Sequence, residues 1–201
     1  DLGDKAPQET VQHLLLMRSR VDRMERLLDD LLTYSRVGRV KAELSLVETE
    51  PLVQESFAFM APPRGFAIHC EGEFPTLNTL RVPLEQVMQN LIGNAIKHHD
   101  GDTGNIWVSV ESIDSGYQFT VVDDGPGIDP KHFKRIFGMF QTLRPRDEVE
   151  GSGIGLALVE KIVNLYGGGV TLSSDGERGT RVRFTWPSEE ALRKQLNEQY
   201  C

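Results

Sequence analysis

The chain has 201 residues, of which 39% are hydrophobic and 26% are charged. This length and composition predict a folded globular protein with one ordinary domain and a small appendage, and they argue against disorder. The formal net charge of -8 supplies no overall positive field for a phosphate backbone, so nucleic-acid binding is not expected.

The two cysteines, Cys70 and Cys201, lie far apart and match no metal-binding spacing, so neither a zinc site nor a disulfide framework is predicted. No segment approaches the ~20 apolar residues that a membrane span needs, and no signal peptide is recognisable. These features favour a cytoplasmic location. The chain starts without methionine, and we expect it to be a piece of a longer protein, which leaves a membrane anchor upstream open.

Residues 8 to 36 are predicted to form one long amphipathic helix. Its apolar residues recur in alternating steps of three and four, which is a heptad seam: Leu14, Met17, Val21, Met24, Leu28 and Leu31. Such a helix either packs on the rest of the chain or forms half of a helical hairpin that dimerises into a bundle. We favour the hairpin, because one helix of this length can hardly bury two apolar stripes alone.

After the polar linker "RVGRVKAELS", the pattern predicts alternating helices and strands. A helix within "VETEPLVQESFAFMAPP" precedes a strand at "FAIHCEG", a helix over 83–98, and paired strands at "IWVSVES" and "YQFTVVDD". A short helix "HFKRIF", a polar stretch over 141–150 and a helix over 153–166 follow, and "VTLSSD" and "TRVRFTWP" form a closing hairpin. The order favours an α+β fold with helices covering one face of a mixed sheet.

The segment "NLIGNAIKHH" contains the first candidate site. Asn90, Asn94 and Lys97 are spaced by four and three residues, so a helix presents them along one face. Amide oxygens suit Mg²⁺ that already carries phosphate oxygens. Two asparagines on a helix are also ordinary surface, and this motif alone does not decide between the two interpretations.

The segment "DDGPGI" follows a predicted strand, so Asp123 at the strand end can accept a hydrogen bond from an exocyclic amine of a nucleotide base. Gly125 and Gly127 let the backbone approach a ligand closely. The same dipeptides are common in plain turns.

Two further motifs complete the set. "GSGIGLALVE" lacks the preceding strand of a dinucleotide fingerprint and the ending of a Walker motif, yet free N–H groups at the start of its helix can bind phosphate. "IFGMF" and the polar stretch 141–150 occupy the place where a mobile lid is expected. Each motif alone is weak.

Together and in this order, the four motifs resemble the ATP-binding catalytic domain of sensor histidine kinases, in the superfamily shared with type II topoisomerases, Hsp90 chaperones and mismatch-repair ATPases. "NLIGNAIKH" resembles the N box, "DDGPGI" the G1 box, "IFGMF" the F box and "GSGIGLALV" the G2 box. The resemblance implies a two-layer α/β sandwich of the Bergerat type over 41–187. It also implies a hairpin helix and linker over 1–40, and a polar tail over 188–201.

The resemblance implies ATP and Mg²⁺ as ligands. It makes Asn90 and Lys97 catalytic, Asn94 the metal ligand and Asp123 the acceptor for the adenine amino group. Residues implied in nucleotide binding are Asn90, Asn94, Lys97, His98, Asp123, Gly125, Gly127, Ile128, Phe140, Arg144, Arg146, Gly151, Ser152, Gly153, Ile154, Gly155 and Leu156.

The ATP-hydrolysing relatives place a glutamate at the position of Asn90 as the general base, and an asparagine cannot take a proton at neutral pH. The resemblance therefore favours transfer of the γ-phosphoryl group to a histidine, relay to an aspartate of a response regulator, and a homodimer formed through the hairpin.

The family's acceptor histidine is followed by an acid and then a proline, and none of the histidines fits: His13, His69, His98, His99 and His132. We expect the acceptor helix to lie upstream of Asp1. A serine kinase of the anti-sigma type, a non-catalytic docking module and a hydrolysing ATPase remain the alternatives.

Overall fold

The computed structural model describes residues 7–39, 43–143 and 152–199. The helices are α1 Gln8–Arg36, α2 Thr49–Phe59, α3 Arg81–Lys97, α4 Phe133–Ile136, α5 Gly155–Leu165 and α6 Glu189–Gln199. The strands are β1 Ser45–Glu48, β2 Gly65–Glu71, β3 Thr76–Thr79, β4 Thr103–Ile113, β5 Gly116–Asp123, β6 Val170–Ser173 and β7 Thr180–Pro187.

The main sheet has five strands in the order β2-β4-β5-β7-β6. Only the β2–β4 pair is parallel, so the sheet is mixed. Alternate residues of β4 and β7 are buried, as expected when helices cover one face of a sheet. Helices α2, α3 and α5 contact this sheet. The predicted two-layer fold and the preceding long helix are confirmed.

The core lies between the sheet and α3 and α5. Phe119 and Phe184, on neighbouring strands, stack with ring centroids 4.9 Å apart, and both side chains are fully buried. The buried Trp186 donates from Nε1 to Thr79 Oγ1 over 2.7 Å, so its polar atom is satisfied inside the core. Pro51 and Pro83 lie in the first turns of α2 and α3, where a helix needs no donor from them.

Two parts of the fold differ from the sequence-based expectation. Strands β1 and β3 form a separate two-stranded antiparallel sheet that the pattern did not predict, because each has only four residues. The segment 188–201, expected as a polar tail, contains helix α6. Its Leu192 is fully buried in the core, and the Gln195 amide donates to the carbonyl of Leu165.

The burial of Leu192 gives a stability prediction. Leu192→Ala is expected to lower the free energy of unfolding by about 2–5 kcal/mol, because it leaves a cavity in the core. Leu46→Ala is the matched control, since Leu46 is 77% exposed. Urea denaturation followed by circular dichroism measures both changes. Equal, small effects would show that α6 does not pack as described.

Helix α1 keeps its heptad seam exposed, and none of its described residues is buried. Near its end, Lys161 Nζ of α5 donates to the Tyr34 carbonyl over 2.6 Å and lies 4.0 Å from the centre of the Tyr34 ring. The contact joins the C-terminal part of α1 to α5. Within the described ranges, no helix is both long and apolar enough to cross a membrane.

Candidate nucleotide-binding site

A cavity of about 620 Å³ lies between α3, the end of β5 and the start of α5. All four sequence motifs contribute residues to its wall, the "IFGMF" motif through Ile136, although the motifs lie far apart in the chain. The cavity is large enough for a nucleotide-sized ligand.

Helix α3 provides one wall, where Asn90, Asn94 and Lys97 line the cavity as their spacing predicted. The opposite side of α3 is buried, with Met88 and Ile92 in the core. The Asn90 side chain donates from Nδ2 to the Gln86 carbonyl over 2.8 Å. This hydrogen bond leaves the Asn90 amide oxygen available as an acceptor.

The start of α5 lies directly against the two asparagines. A Cβ atom placed on Gly155 would stand 3.0 Å from Asn90 Oδ1 and 3.5 Å from Asn94 Oδ1. The absence of a side chain therefore keeps open the space between the asparagines and the α5 N-terminus. Unpaired backbone N–H groups and the helix dipole make such a terminus favourable for anions.

Asp123 lies at the end of β5 and lines the same cavity. The Gly125 N–H donates to its Oδ1 over 3.0 Å. Burial raises the pKa of Asp123, and the backbone groups of Gly125 and Thr180 oppose that rise without cancelling it. The Asp123 carboxylate is thus a desolvated acceptor, and a backbone N–H group orients it.

The predicted residues fall into three groups. The cavity is lined by Asn90, Asn94, Lys97, His98, Asp123, Gly127, Ile128, Ser152, Gly153, Ile154, Gly155 and Leu156. Gly125 and Phe140 do not line it: Gly125 instead holds Asp123, and Phe140 adopts a positive φ of 62° beside the Gly153 backbone. Arg144, Arg146 and Gly151 lie outside the described residues.

Several wall residues were missed by the sequence reasoning. Thr180 reaches the site because β7 pairs with β5 so that it stands opposite Asp123, a register that no local pattern specifies. Met60 follows α2, and Asp30 comes from α1. Gln141, Thr142 and Leu143 belong to the polar stretch that was predicted as a lid, and that expectation was the one available signal for them.

The donor set at the asparagine pair fits Mg²⁺ bound together with phosphate. Mg²⁺ commonly takes few protein oxygens and completes its shell with water and substrate phosphates. The Asn90 amide oxygen and the whole Asn94 amide face the space that a Gly155 side chain would fill. Among the described residues there is no cluster of three or more His, Cys, Asp or Glu side chains able to hold a metal ion.

A family model described as histidine kinase-, DNA gyrase B-, and HSP90-like ATPase matches residues 79–190. The chain therefore belongs to this ATPase family, and the matched span contains α3, Asp123 and the start of α5. The predicted resemblance is confirmed.

Among known proteins, the phytochrome-like protein Cph1 of Synechocystis sp. is 35% identical over 83% of this chain and 23% of its own length. The methanogenesis regulatory histidine kinase FilI of Methanothrix harundinacea is 33% identical over 87% of this chain and 20% of its own length. The chain thus spans between a fifth and a quarter of these two relatives.

Among solved structures, full-length ShkA in complex with AMPPNP is 27% identical, with a TM-score of 0.70 over 91% of this chain and 40% of that chain. AMPPNP is bound in that structure. These comparisons support the histidine-kinase prediction rather than the serine kinase or the docking module.

Proposed function

We propose that this chain is the ATP-binding catalytic part of a sensor histidine kinase, which transfers the γ-phosphoryl group of Mg-ATP to a histidine. The observation that carries the proposal is the meeting of Asn90 and Asn94 with the α5 N-terminus, in the same cavity as Asp123. One end of this cavity suits phosphates and the other suits a base. The similarity of the chain to FilI, which is named a histidine kinase, supports the same conclusion.

In this proposal Asp123 accepts a hydrogen bond from the adenine amino group. Asn94, supported by Asn90, would hold Mg²⁺, which when bound neutralises phosphate charge. Lys97 is exposed at the cavity wall and brings a positive charge toward the phosphates. Phosphoryl transfer needs mainly positioning and charge stabilisation, and these residues supply both.

The nature of Asn90 supports phosphoryl transfer to a protein side chain rather than hydrolysis. An amide has no basic site at neutral pH, so Asn90 does not activate water. Its Nδ2 is also occupied by the Gln86 carbonyl. We expect the chain to bind ATP and release phosphate far more slowly than a typical ATPase.

The acceptor histidine and the partners are inferred from the hairpin. None of the five histidines is followed by the acid and proline of the family's acceptor. The exposed seam of α1 has the pattern expected of a hairpin helix that pairs with the acceptor helix and with a second copy. We therefore propose a homodimer, a response-regulator receiver domain as the next phosphoryl acceptor, and a cytoplasmic location, where ATP is supplied.

The test is to give Mg-ATP labelled on the γ-phosphate to this chain and to a version extended by the upstream helix. The extended protein should gain a phosphoryl group that is labile in acid and stable in alkali, as a phosphohistidine is. The chain alone should bind ATP and gain none. Acid-stable label, or steady phosphate release at ordinary enzyme rates of about 10 per second, would contradict the proposal.

A second prediction concerns Asn94. In the unchanged chain, Mg²⁺ is expected to strengthen ATP binding. Asn94→Ala should remove this gain and weaken ATP binding in Mg²⁺ by roughly tenfold, because an amide oxygen on the phosphate side is lost. Titration calorimetry with ATP in Mg²⁺ and in EDTA measures this difference.

The matched control for that experiment is Asn164→Ala, on the exposed side of α5. Asn164→Ala should keep the full gain in ATP affinity that Mg²⁺ provides. Asn94 is not the metal ligand if Asn94→Ala keeps this gain too.

A further inference from the structure

The side chains of His99 and Asn105 hydrogen-bond the Asp124 carboxylate next to Asp123 but outside the cavity, and we call these three residues the Asp124 cluster. The Asp124 carboxylate accepts from the Asn105 backbone N–H over 2.8 Å and from Asn105 Nδ2 over 3.0 Å. It also accepts from His99 Nε2 over 3.0 Å. None of the three residues belongs to the cavity wall.

His99 is built into the fold rather than left at the surface. Its side chain is only 3% exposed, and the Phe66 ring meets it edge-on with centroids 5.2 Å apart. The Gly101 N–H lies 3.0 Å from Nδ1 and Asp124 Oδ1 lies 3.0 Å from Nε2, and a neutral ring with its proton on Nε2 satisfies both contacts. His99 follows His98 by one residue, yet only His98 lines the cavity.

The charged form of Asp124 is well stabilised. Partial burial opposes ionisation, but the hydrogen bonds from Asn105 and His99 outweigh it and lower the pKa of Asp124. Asp124 therefore stays ionised at neutral pH, and its hydrogen bonds to the cluster are charge-assisted.

The cluster reaches Asp123 through the backbone of the next residue. A Cβ atom on Gly125 would lie 2.9 Å from Asp123 Oδ1 and 3.4 Å from His99 Cδ2, so the loop is packed between the two side chains. The Gly125 N–H in turn donates to Asp123. A shift of Asp124 or His99 would therefore move the donor that orients the Asp123 carboxylate.

The far side of the same loop is held by the β6–β7 connection. The Gly179 N–H donates to the Gly125 carbonyl over 2.7 Å, and the Ile128 N–H donates to Ser174 Oγ over 3.0 Å. Ser174 Oγ donates to the Gly179 carbonyl over 2.7 Å. The loop that carries the base-reading carboxylate is thus fixed from both sides, by the Asp124 cluster and by this connection.

We propose that His99, Asn105 and Asp124 are positioning residues that set the preference of the site for adenine over guanine, by holding the Asp123–Gly125 backbone in place. The inference rests on the proposed role of Asp123 as the acceptor for the adenine amino group. Guanine presents a carbonyl oxygen at the same ring position, so a fixed carboxylate repels it. A carboxylate that can move loses affinity for adenine and rejects guanine less.

The experiment compares Asp124→Ala, His99→Phe and His99→Gln with the unchanged chain. Dissociation constants for Mg-ATP and Mg-GTP are measured by displacement of a fluorescent ATP analogue, with thermal unfolding of each variant alongside. Glutamine retains an N–H donor at the position of Nε2, whereas phenylalanine fills the space without a donor. Glu55→Ala is the control, since it breaks a 2.6 Å contact with Arg81 away from the cavity.

Asp124→Ala and His99→Phe are expected to weaken ATP binding by roughly threefold to tenfold with little change for GTP, so that the ATP:GTP preference falls. His99→Gln and Glu55→Ala should keep that preference within about twofold of the unchanged chain.

Two results would overturn the inference: an unchanged preference in both disruptive variants, or an equal loss for ATP and GTP, which indicates a purely structural role. If Asp124→Ala fails to fold, the comparison of His99→Phe with His99→Gln is sufficient to test the inference. An unchanged chain that binds no ATP would instead contradict the proposed function.

Discussion

Replacing Asp123 by asparagine is expected to weaken ATP binding by roughly 10- to 100-fold, because a hydrogen bond to a desolvated charged acceptor is lost. The Gly125 N–H donates to the carboxylate in the unliganded site. An amide has one accepting oxygen, and the Gly125 N–H holds that oxygen toward itself. The NH₂ group then faces the adenine amino group, where it repels instead of accepting.

The same substitution is expected to leave the unliganded protein at least as stable as before. Burial raises the pKa of Asp123 above its ordinary value, so the folded state binds this proton more tightly than the unfolded state. The stability that this group contributes is present below the unfolded pKa and is lost as pH rises through the folded pKa. At neutral pH the ionised carboxylate therefore costs stability, and asparagine removes that cost.

Calorimetric titration with Mg-ATP and thermal unfolding without nucleotide measure the two halves of this prediction. The unchanged chain should also lose ATP affinity as the pH falls toward the raised pKa of Asp123, whereas Asp123→Asn should not show that loss. Unchanged affinity in Asp123→Asn would show that this carboxylate does not read the base.

Gly153→Ala is the second substitution with a large expected effect. Gly153 has a φ of +70°, a conformation that costs a residue with a side chain about 1 kcal/mol or more. An added Cβ atom would also lie 2.7 Å from the Gln141 carbonyl oxygen and 2.9 Å from the Gln141 nitrogen. Both contacts are with backbone, which cannot rotate away as a side chain can.

We expect the Gly153→Ala backbone to shift and to carry Ser152 and Ile154 with it, since the Ile154 N–H donates to Ser152 Oγ over 3.2 Å. Both residues line the cavity, so ATP affinity should fall by roughly tenfold or more. We expect ATP to slow proteolysis of the predicted lid, 141–150, in the unchanged chain, and Gly153→Ala should lose this protection.

Gly169→Ala is the matched control for this substitution, because an added Cβ atom there has no neighbour within 4 Å. Equilibrium binding of a fluorescent ATP analogue and limited proteolysis with and without ATP compare the two variants. The expectation fails if Gly153→Ala and Gly169→Ala bind ATP alike.

The motifs predicted the cavity wall best where the repeat of a helix or strand determines the direction in which a side chain points. Asn90, Asn94 and Lys97 line the cavity because a helix of 3.6 residues per turn places those spacings on one face. The end of a strand likewise predicted the place of Asp123. Their roles toward ATP and Mg²⁺ stay predictions that the binding experiments test.

Helix α6 and the Asp124 cluster were not foreseen, and the reason is the same for both. Leu192 and Leu196 are two leucines in a mostly polar segment, and their burial depends on the distant surface that they meet. His99, Asn105 and Asp124 come from three parts of the chain that only the folded sheet brings together. In the sequence-based prediction His99 is named only as a histidine that does not fit the acceptor pattern.

The sequence by itself determined the order of helices α1 to α5 and of the five strands of the main sheet, the family, and most of the cavity wall on α3 and at the start of α5. These depend on local periodicity and on short motifs. The tertiary structure decided the rest. It placed Thr180 opposite Asp123 through strand register, opened the space at Gly155 beside the asparagines, and locked His99 against Asp124. Those relations depend on contacts between residues far apart in the chain, and their geometry exists only after the sheet and helices have packed.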